Sequence, residues 1–447
     1  MFIKNLSFFK GFTKYIILLL NTLHMKIGLS QSMMQSFTSI GPMLDFVALF
    51  SVIASYSGTM LPLVVLFSFL LSYSTLYTVY MFSKKYTTNG GYYSYVGNTL
   101  GKSVGLFVMF FYIMYSIMTV PNLSIFVSSF VYNIFLLFGI KYKIIEYLIL
   151  IIFIIMVYSV IGSGSNISIK YTLIAGAMEM SFIIIMSFIF FSMPHHKIYY
   201  NYNFNAFFLG VIFGILAFSG GGSSIFLSEN TEKAKKTTPK ALLISYTISG
   251  TIMVISAFAL LFFVGVKGIY NYSIDPYYII SYMSNKIGYY FIIIFAFFTI
   301  LSAFNLSVSY LNAFVHMVPR MLCDLNIRNH GRRFIFYMFF ISIAISLISI
   351  KFLGFFKAFV FIAGLISFLY IMIHIITNIS LIKINKSIIP VLSGIFLIIS
   401  LFLSFIGNTS GIITINYAFI IYAIISVIIV LIIKRSRFFK TINFYID

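Results

Sequence analysis

Asp45 and Glu179 stand inside apolar stretches of a 447-residue chain, Glu179 within Ala175-Gly176-Ala177-Met178-Glu179-Met180. A charged side chain in a bilayer core is costly. It faces a protein interior or a water-filled cavity, and it marks the path of ions, protons or charged substrates. A carboxylate there can take a proton from one side and lose it to the other, or it can hold a cation. Two plainer readings stand beside these. Glu179 can hydrogen-bond a helix end. Asp45, three residues past Pro42, can cap the first turn of a half-helix, where the dipole stabilises it; its functional reading is contact with a cationic substrate or a proton. His374 reads as a hydrogen-bonded packing residue, and Tyr112 and Tyr115 as packing or pocket-lining residues. His195-His196 lack the further ligands that a metal site needs. The single cysteine, Cys323, excludes an intrachain disulfide and reads as a small filler near a helix end.

The elements that must position these groups carry two interruptions. Ser39-Ile40-Gly41-Pro42 places Gly-Pro near the middle of the first apolar run. Proline removes a donor and clashes with the preceding turn, and the residue before it avoids helix. Phe218-Ser219-Gly220-Gly221-Gly222-Ser223-Ser224 places three glycines inside the sixth run, each costing a helix interior about 1 kcal/mol relative to Ala. Backbone freed from helix in lipid must find partners in protein or a cavity. Two interrupted segments in matching positions of two halves point to a transporter site at an inverted repeat. A half-helix that starts at mid-depth offers N–H groups and partial positive charge to a carboxylate. Carbonyls at the broken ends suit an ammonium. An amino acid carries both charges on one carbon.

The chain is 61% hydrophobic and 8% charged, with a mean hydropathy of +1.06; soluble domains carry about 25% charged residues. This is the composition of an all-α polytopic membrane protein. Apolar runs of about 20 residues span a bilayer, and twelve are readable: roughly 31–56, 60–82, 103–135, 145–162, 168–192, 204–228, 241–266, 287–316, 334–352, 357–382, 388–407 and 415–433. No linker divides them, so 25–440 reads as one membrane domain, with 434–447 leading into a tail. The net charge of +21 sits in short loops, which argues for topology and against nucleic acid. With both termini placed inside, 22 of the 29 Lys and Arg fall on the cytoplasmic side, as the positive-inside rule requires. Glu229, Glu232, Lys233, Lys235 and Lys236 then lie in a cytoplasmic loop, as a solvated helix end or part of an inner gate. No cofactor is called for. No Ser/His/Asp constellation or metal cluster supports a membrane enzyme, and no helix face is polar enough to argue a channel.

Three stretches resemble the amino acid–polyamine–organocation permease superfamily, in particular its amino acid permeases. Phe218 to Gly222, then Glu229-Asn230-Thr231-Glu232, then Thr238-Pro239-Lys240-Ala241 is similar to the family's sixth helix, acidic turn and basic Pro-containing start of the seventh. Thr88-Asn89-Gly90-Gly91-Tyr92-Tyr93-Ser94-Tyr95-Val96 is similar to its turn between helices two and three, and Ser39-Ile40-Gly41-Pro42 to its first-helix break. The resemblance covers about 25–435. It implies a LeuT-like five-plus-five inverted repeat, helices one to five over about 31–192 and six to ten over about 204–382, with two further helices over 388–433. It implies ion-driven uptake of an amino acid or amine across the cytoplasmic membrane, commonly with a proton, and an exchanger of the same fold is an alternative. The substrate site would comprise Ser39, Ile40, Gly41, Pro42, Phe218, Ser219, Gly220, Gly221 and Gly222. Glu179 would be the proton-coupling residue, with Asp45 as a second candidate and Ser302 and Asn305 facing Glu179. Two departures stand out. Gly221 replaces a bulky aromatic lid, leaving a larger pocket or passing the role to Phe218 or Phe226. His316 stands eight residues before Asp324, where the family often has a latch arginine.

Residues 1–24 combine Lys4, Lys10 and Lys14 with a short apolar run, Tyr15 to Leu23. They read as an upstream extension or an interfacial helix. N-terminal sequencing of the expressed protein separates the two: chains beginning at Met25 identify the extension, and chains that retain residues 1–24 the interfacial helix.

Overall fold

The computed structural model describes residues 26–193, 196–200, 202–327, 331–406, 410–444 and 446. Residues 1–24, with either of their two readings, and His195 lie outside that set. Among the described residues ten helices are long and apolar enough to cross a membrane. Apart from one backbone bridge, Ile27 to Thr231, no β-structure occurs among them. The protein is an all-α polytopic membrane protein. The ten long helices match ten of the twelve apolar runs. The other two runs are the interrupted ones, and their breaks explain why neither holds a helix of spanning length.

The first run is cut into α1 (Leu29–Thr38), α2 (Pro42–Val47) and α3 (Leu49–Ser57). Gly41, between α1 and α2, has φ +67°, a left-handed conformation that Gly adopts without penalty. Pro42 then opens α2, where its missing N–H costs nothing. The sixth run stops as helix at α9 (Phe204–Ala217). It turns through Phe218–Gly222, with Gly220 at φ +81°, and continues as a 3-10 stretch, Ser223–Asn230.

The element order recurs. After the first break come α4 (Leu61–Lys85), the nine-residue α5 (Tyr92–Leu100), the 36-residue α6 (Lys102–Leu137), α7 (Ile144–Gly162) and α8 (Ser165–Ser192). After the second come α10 (Ala234–Ile274), the nine-residue α11 (Tyr278–Lys286), the 36-residue α12 (Tyr289–Asp324), α13 (Gly331–Leu353) and α14 (Phe355–Ile384). The N-caps of α6 and α12 are glycines of nearly equal conformation, Gly101 (φ 103°, ψ 162°) and Gly288 (φ 118°, ψ 163°). Those of α8 and α14 match similarly, Gly164 (φ 105°, ψ 153°) and Gly354 (φ 77°, ψ 167°). The final pair, α15 (Ile388–Ile406) and α16 (Ser410–Arg435), has no counterpart and packs at the periphery, only 28% of each apolar window being buried.

Where lipid is as apolar as the side chains, helices associate through small residues and interhelical hydrogen bonds. α1 lies between α8, α10 and α12. Thr38 Oγ1 meets Ser309 Oγ at 2.6 Å, and Gln35 Nε2 donates to the Ser309 carbonyl at 2.7 Å. Gly176 lets α8 close on α1, since a Cβ there would stand 2.5 Å from Thr38 Cγ2. Both ends of the described chain meet at one end of the bundle. Ile27 pairs with Asn230 and Glu232 beyond the second break. At the other terminus, after the short α17 (Phe438–Thr441), the Asn443 N–H donates to the Asp324 carbonyl, and Asn98 Nδ2 donates to the Phe444 carbonyl at 2.6 Å. The Phe444 ring, 4% exposed, fills a notch over Gly97 and Gly105.

A side chain at Gly97 has no room while Phe444 is in place. Gly97→Leu is expected to detach the C-terminal segment and raise its rate of proteolytic removal at least tenfold. Gly394→Leu, at a position with open space, is expected to leave that rate unchanged.

Candidate functional site

The two breaks touch. Ser39 Oγ lies 2.7 Å from Ser223 Oγ, Ser223 Oγ also reaches the Gln35 carbonyl, and the Ser224 N–H donates to Ser36 Oγ. Gly220 packs so close that a Cβ would stand 2.3 Å from the Ser39 carbonyl oxygen. Ser219 Oγ is 3.0 Å from the Tyr310 hydroxyl, which also pairs with the Tyr115 hydroxyl. A side chain of α12 thus links the second break to α6 of the first half.

Glu179 occupies the start of α2. Its Oε1 accepts the Met43 N–H at 3.3 Å and the Ser302 hydroxyl at 2.5 Å; its Oε2 accepts Asn305 Nδ2 at 3.0 Å. Ser302 in turn accepts the Leu44 N–H at 3.0 Å, and Tyr171 donates to Asn305 Oδ1 at 2.5 Å. The carboxylate is fully buried and surrounded by donors, one of them at a helix N-terminus where negative charge is favoured. Ser302 and Asn305 lie against Glu179, and the helix-end reading of Glu179 describes its contact with Met43. These contacts also change the expected role of the half-helix. Pro42 has no N–H, Met43 and Leu44 donate to Glu179 and Ser302, and the Asp45 N–H returns to the Gly41 carbonyl. The start of α2 therefore has no N–H to offer a substrate carboxylate.

On the other side of the break lies a cavity of about 40 Å³, lined by Ser39, Ile40, Asp45, Asn122, Ser219 and Tyr310 among others. A water needs about 10–15 Å³ of such space, so the cavity has room for a few waters. Asp45 is 3% exposed and its Oδ2 has no hydrogen-bond partner; α2 has no side-chain cap. Asp45 stands in the first turn of α2, where the dipole favours its charge, without a capping hydrogen bond of its own. Gly41, Pro42, Phe218, Gly220, Gly221 and Gly222 shape the break without lining this cavity.

Toward the end of the bundle that holds both termini, aromatic rings fill the path. Tyr112 stacks near Phe226 (4.6 Å between centroids) and Tyr115 near Tyr370 (5.7 Å). His374 lies edge-on to Tyr370 and Tyr92, and neither ring nitrogen is hydrogen-bonded. It packs as expected, without the expected hydrogen bond. The space beside Gly221 is filled by Tyr246, a residue no sequence motif singled out: a Cβ on Gly221 would stand 2.2 Å from its ring, and its hydroxyl donates to the Phe218 carbonyl. Phe218 packs on Phe69 and Phe226 on Tyr92. A ring from α10 thus occupies the place of the missing side chain.

Beyond the rings, Arg320 pairs with Glu229 at 3.2 Å and with Asp324 at 3.1 Å. The Tyr93 hydroxyl donates to Asp324, and the Asn89 N–H to Glu229. Burial, with the Asp324 carboxylate beside it, holds the Tyr93 hydroxyl well above its ordinary range, so it remains a donor. The arginine stands four residues before Asp324 and one turn after His316. Position i−4 places it on the same helix face as Asp324. Of the loop charges, Glu232 uses its backbone, the N–H to the Ile27 carbonyl and the carbonyl to the Thr237 hydroxyl, and Lys233 is the N-cap of α10. Cys323 is exposed and fills nothing. His196 sits near Tyr282, and no group of three metal-ligating residues occurs among the described residues.

No protein-family model matches the chain, and no curated protein matches it. The site is therefore read from its own geometry. With Tyr246 filling the space beside Gly221, Gly221→Phe overpacks it. The expected cost is about 1–3 kcal/mol, seen as a lower melting temperature of the purified protein, and Gly221→Phe/Tyr246→Ala recovers most of it.

Proposed function

We propose that the chain is a secondary active transporter that carries an amino acid across the cytoplasmic membrane, coupled to protons, by alternating access around the two breaks. The observation that carries this reading is the pair of broken segments, equivalent in two halves of recurring element order and in contact through Ser39, Ser223 and Gly220. Each half then contributes five crossings, an odd number, so the second runs inverted relative to the first, and α15 and α16 bring the total to twelve. Interrupted helices crossing at the interface of such repeats are the arrangement of ion-coupled transporters.

The two halves share few covalent constraints at the breaks and many exchangeable polar contacts, which suits rocking of one unit against the other. The tyrosines and the Arg320–Glu229 pair close one end, while the cavity lies toward the other. We place the closed end in the cytoplasm, because most of the Lys and Arg fall on that side in the topology read from the sequence, as do both termini. Glu179 bonds α2 of the first half from α8 while Ser302 and Asn305 hold it from α12 of the second. A proton on Glu179 would remove one acceptor from this junction and loosen the two halves where they must move. The same fold serves exchangers and amine carriers, for which the unpartnered Asp45 oxygen is the specific observation.

The test is accumulation of labelled amino acids in proteoliposomes under an imposed proton gradient. Accumulation collapsed by a protonophore is the expected result; its absence for every substrate overturns the reading. Glu179→Gln is expected to lower gradient-driven uptake at least tenfold and to flatten its pH dependence.

A further inference from the structure

Asp45 is a buried carboxylate facing a cavity, and no positive side chain lines that cavity. A carboxyl group taken out of water holds its charged form only beside a partner, and the cavity wall supplies no cation. The neighbours of Asp45 show what kind of partner would fit. Asn122 presents a second buried oxygen, Oδ1, that also has no partner. The lining hydroxyls are engaged: Ser39 with the Gln35 carbonyl and Ser223, Ser219 with Tyr310, and Thr119 with the Tyr115 carbonyl. The nearby helix start has already given its N–H groups to Glu179, Ser302 and Gly41. The cavity therefore holds unpartnered acceptors on two side chains and lacks a free backbone donor at α2 for a carboxylate. The rest of its wall is aliphatic and aromatic, including Ile40, Leu123, Leu306 and Phe359.

We propose that Asp45 and Asn122 form the subsite for the primary ammonium at the far end of a substrate's methylene chain, as distinct from an α-ammonium, so that the transported substrates are amines of net positive charge, a basic amino acid foremost. A primary ammonium has three N–H donors. Two meet Asp45 Oδ2 and Asn122 Oδ1, and its methylene chain lies on the apolar wall. Charge-assisted hydrogen bonds of this kind are about twice as strong as neutral ones, and a site built for such a donor rejects an analogue that lacks it by leaving its own acceptors unpaired. This inference rests on the transport reading for its substrate, but its test does not.

The test compares lysine, cadaverine and norleucine, which share a carbon chain and differ in the side-chain amine or the carboxylate. Binding to the purified full-length protein is read from the rise in melting temperature with ligand concentration. Lysine and cadaverine are expected to bind at least tenfold more tightly than norleucine. Asp45→Asn should reduce lysine to the level of norleucine, Asp45→Glu should retain part of the preference, and Asp275→Asn, at an exposed position, should leave it intact. Equal binding of lysine and norleucine overturns the proposal, as does no binding by any of the three. So does an unchanged lysine preference in Asp45→Asn, the result expected if Asp45 only carried a proton. Should Asp45→Asn fail to fold, loss of preference must still appear in Asn122→Leu. Uptake in proteoliposomes separates the two readings: lysine bound with preference but never accumulated refutes transport and leaves the subsite standing, whereas norleucine accumulated as well as lysine refutes the subsite and leaves transport standing.

Discussion

The need to hydrogen-bond freed backbone without water governs this molecule. A helix interrupted inside a bilayer leaves polar groups that cost several kcal/mol each when unsatisfied. At the first break the answer is local and specific. Glu179 and Ser302 take the Met43 and Leu44 N–H groups, and Gly41 takes a left-handed turn that brings Pro42 into the one helical position where it does no harm. At the second break, Ser223 and Ser224 lean on Gln35 and Ser36 of the first. Each interruption thus repairs the other, which ties the two halves together at the point where both are weakest.

That mutual repair sets the electrostatics of the site. Glu179 is spent on the helix start and held by donors from another helix, so both of its oxygens are answered within the protein. Asp45, one turn further along, has an oxygen with no such answer. Two carboxylates a few residues' reach apart thus have different surroundings, and different environments are how a protein separates the roles of like groups. The tyrosines that fill one side of the breaks add bulk with polar tips. Their hydroxyls pair with one another and with Ser219, so the packing is dense without leaving those groups bare.

At the end of the bundle where the termini meet, Arg320 links the loop beyond the second break to the last turn of α12, and the Asn443–Phe444 segment leans on the same turn. A partly exposed ion pair is by itself worth little, about 0–1 kcal/mol. Here Asp324 is fully buried and also bonded by Tyr93, so removing Arg320 would leave a buried carboxylate with a lost partner. The contact is stronger as a junction of three elements than as a surface pair.

Membrane class, the apolar runs and the two breaks were legible in the sequence, because hydropathy and the backbone limits of Gly and Pro are local properties. Glu179 was legible too, since a charge in an apolar run has few innocent explanations. What local reasoning could not supply was pairing across distance. It found His316 where the family often has an arginine and so weakened the case for a latch, but Arg320, one turn on, lies against Glu229. It gave the space at Gly221 to a larger pocket or to Phe218 or Phe226, but Tyr246 from another helix fills it. It offered the start of α2 to a substrate carboxylate, but Glu179, more than 130 positions away, had already taken that place. Hydrophobic period and backbone chemistry belong to neighbours in the chain; which donor meets which acceptor is decided only when the helices pack, and that packing leaves Asp45 Oδ2 without a partner.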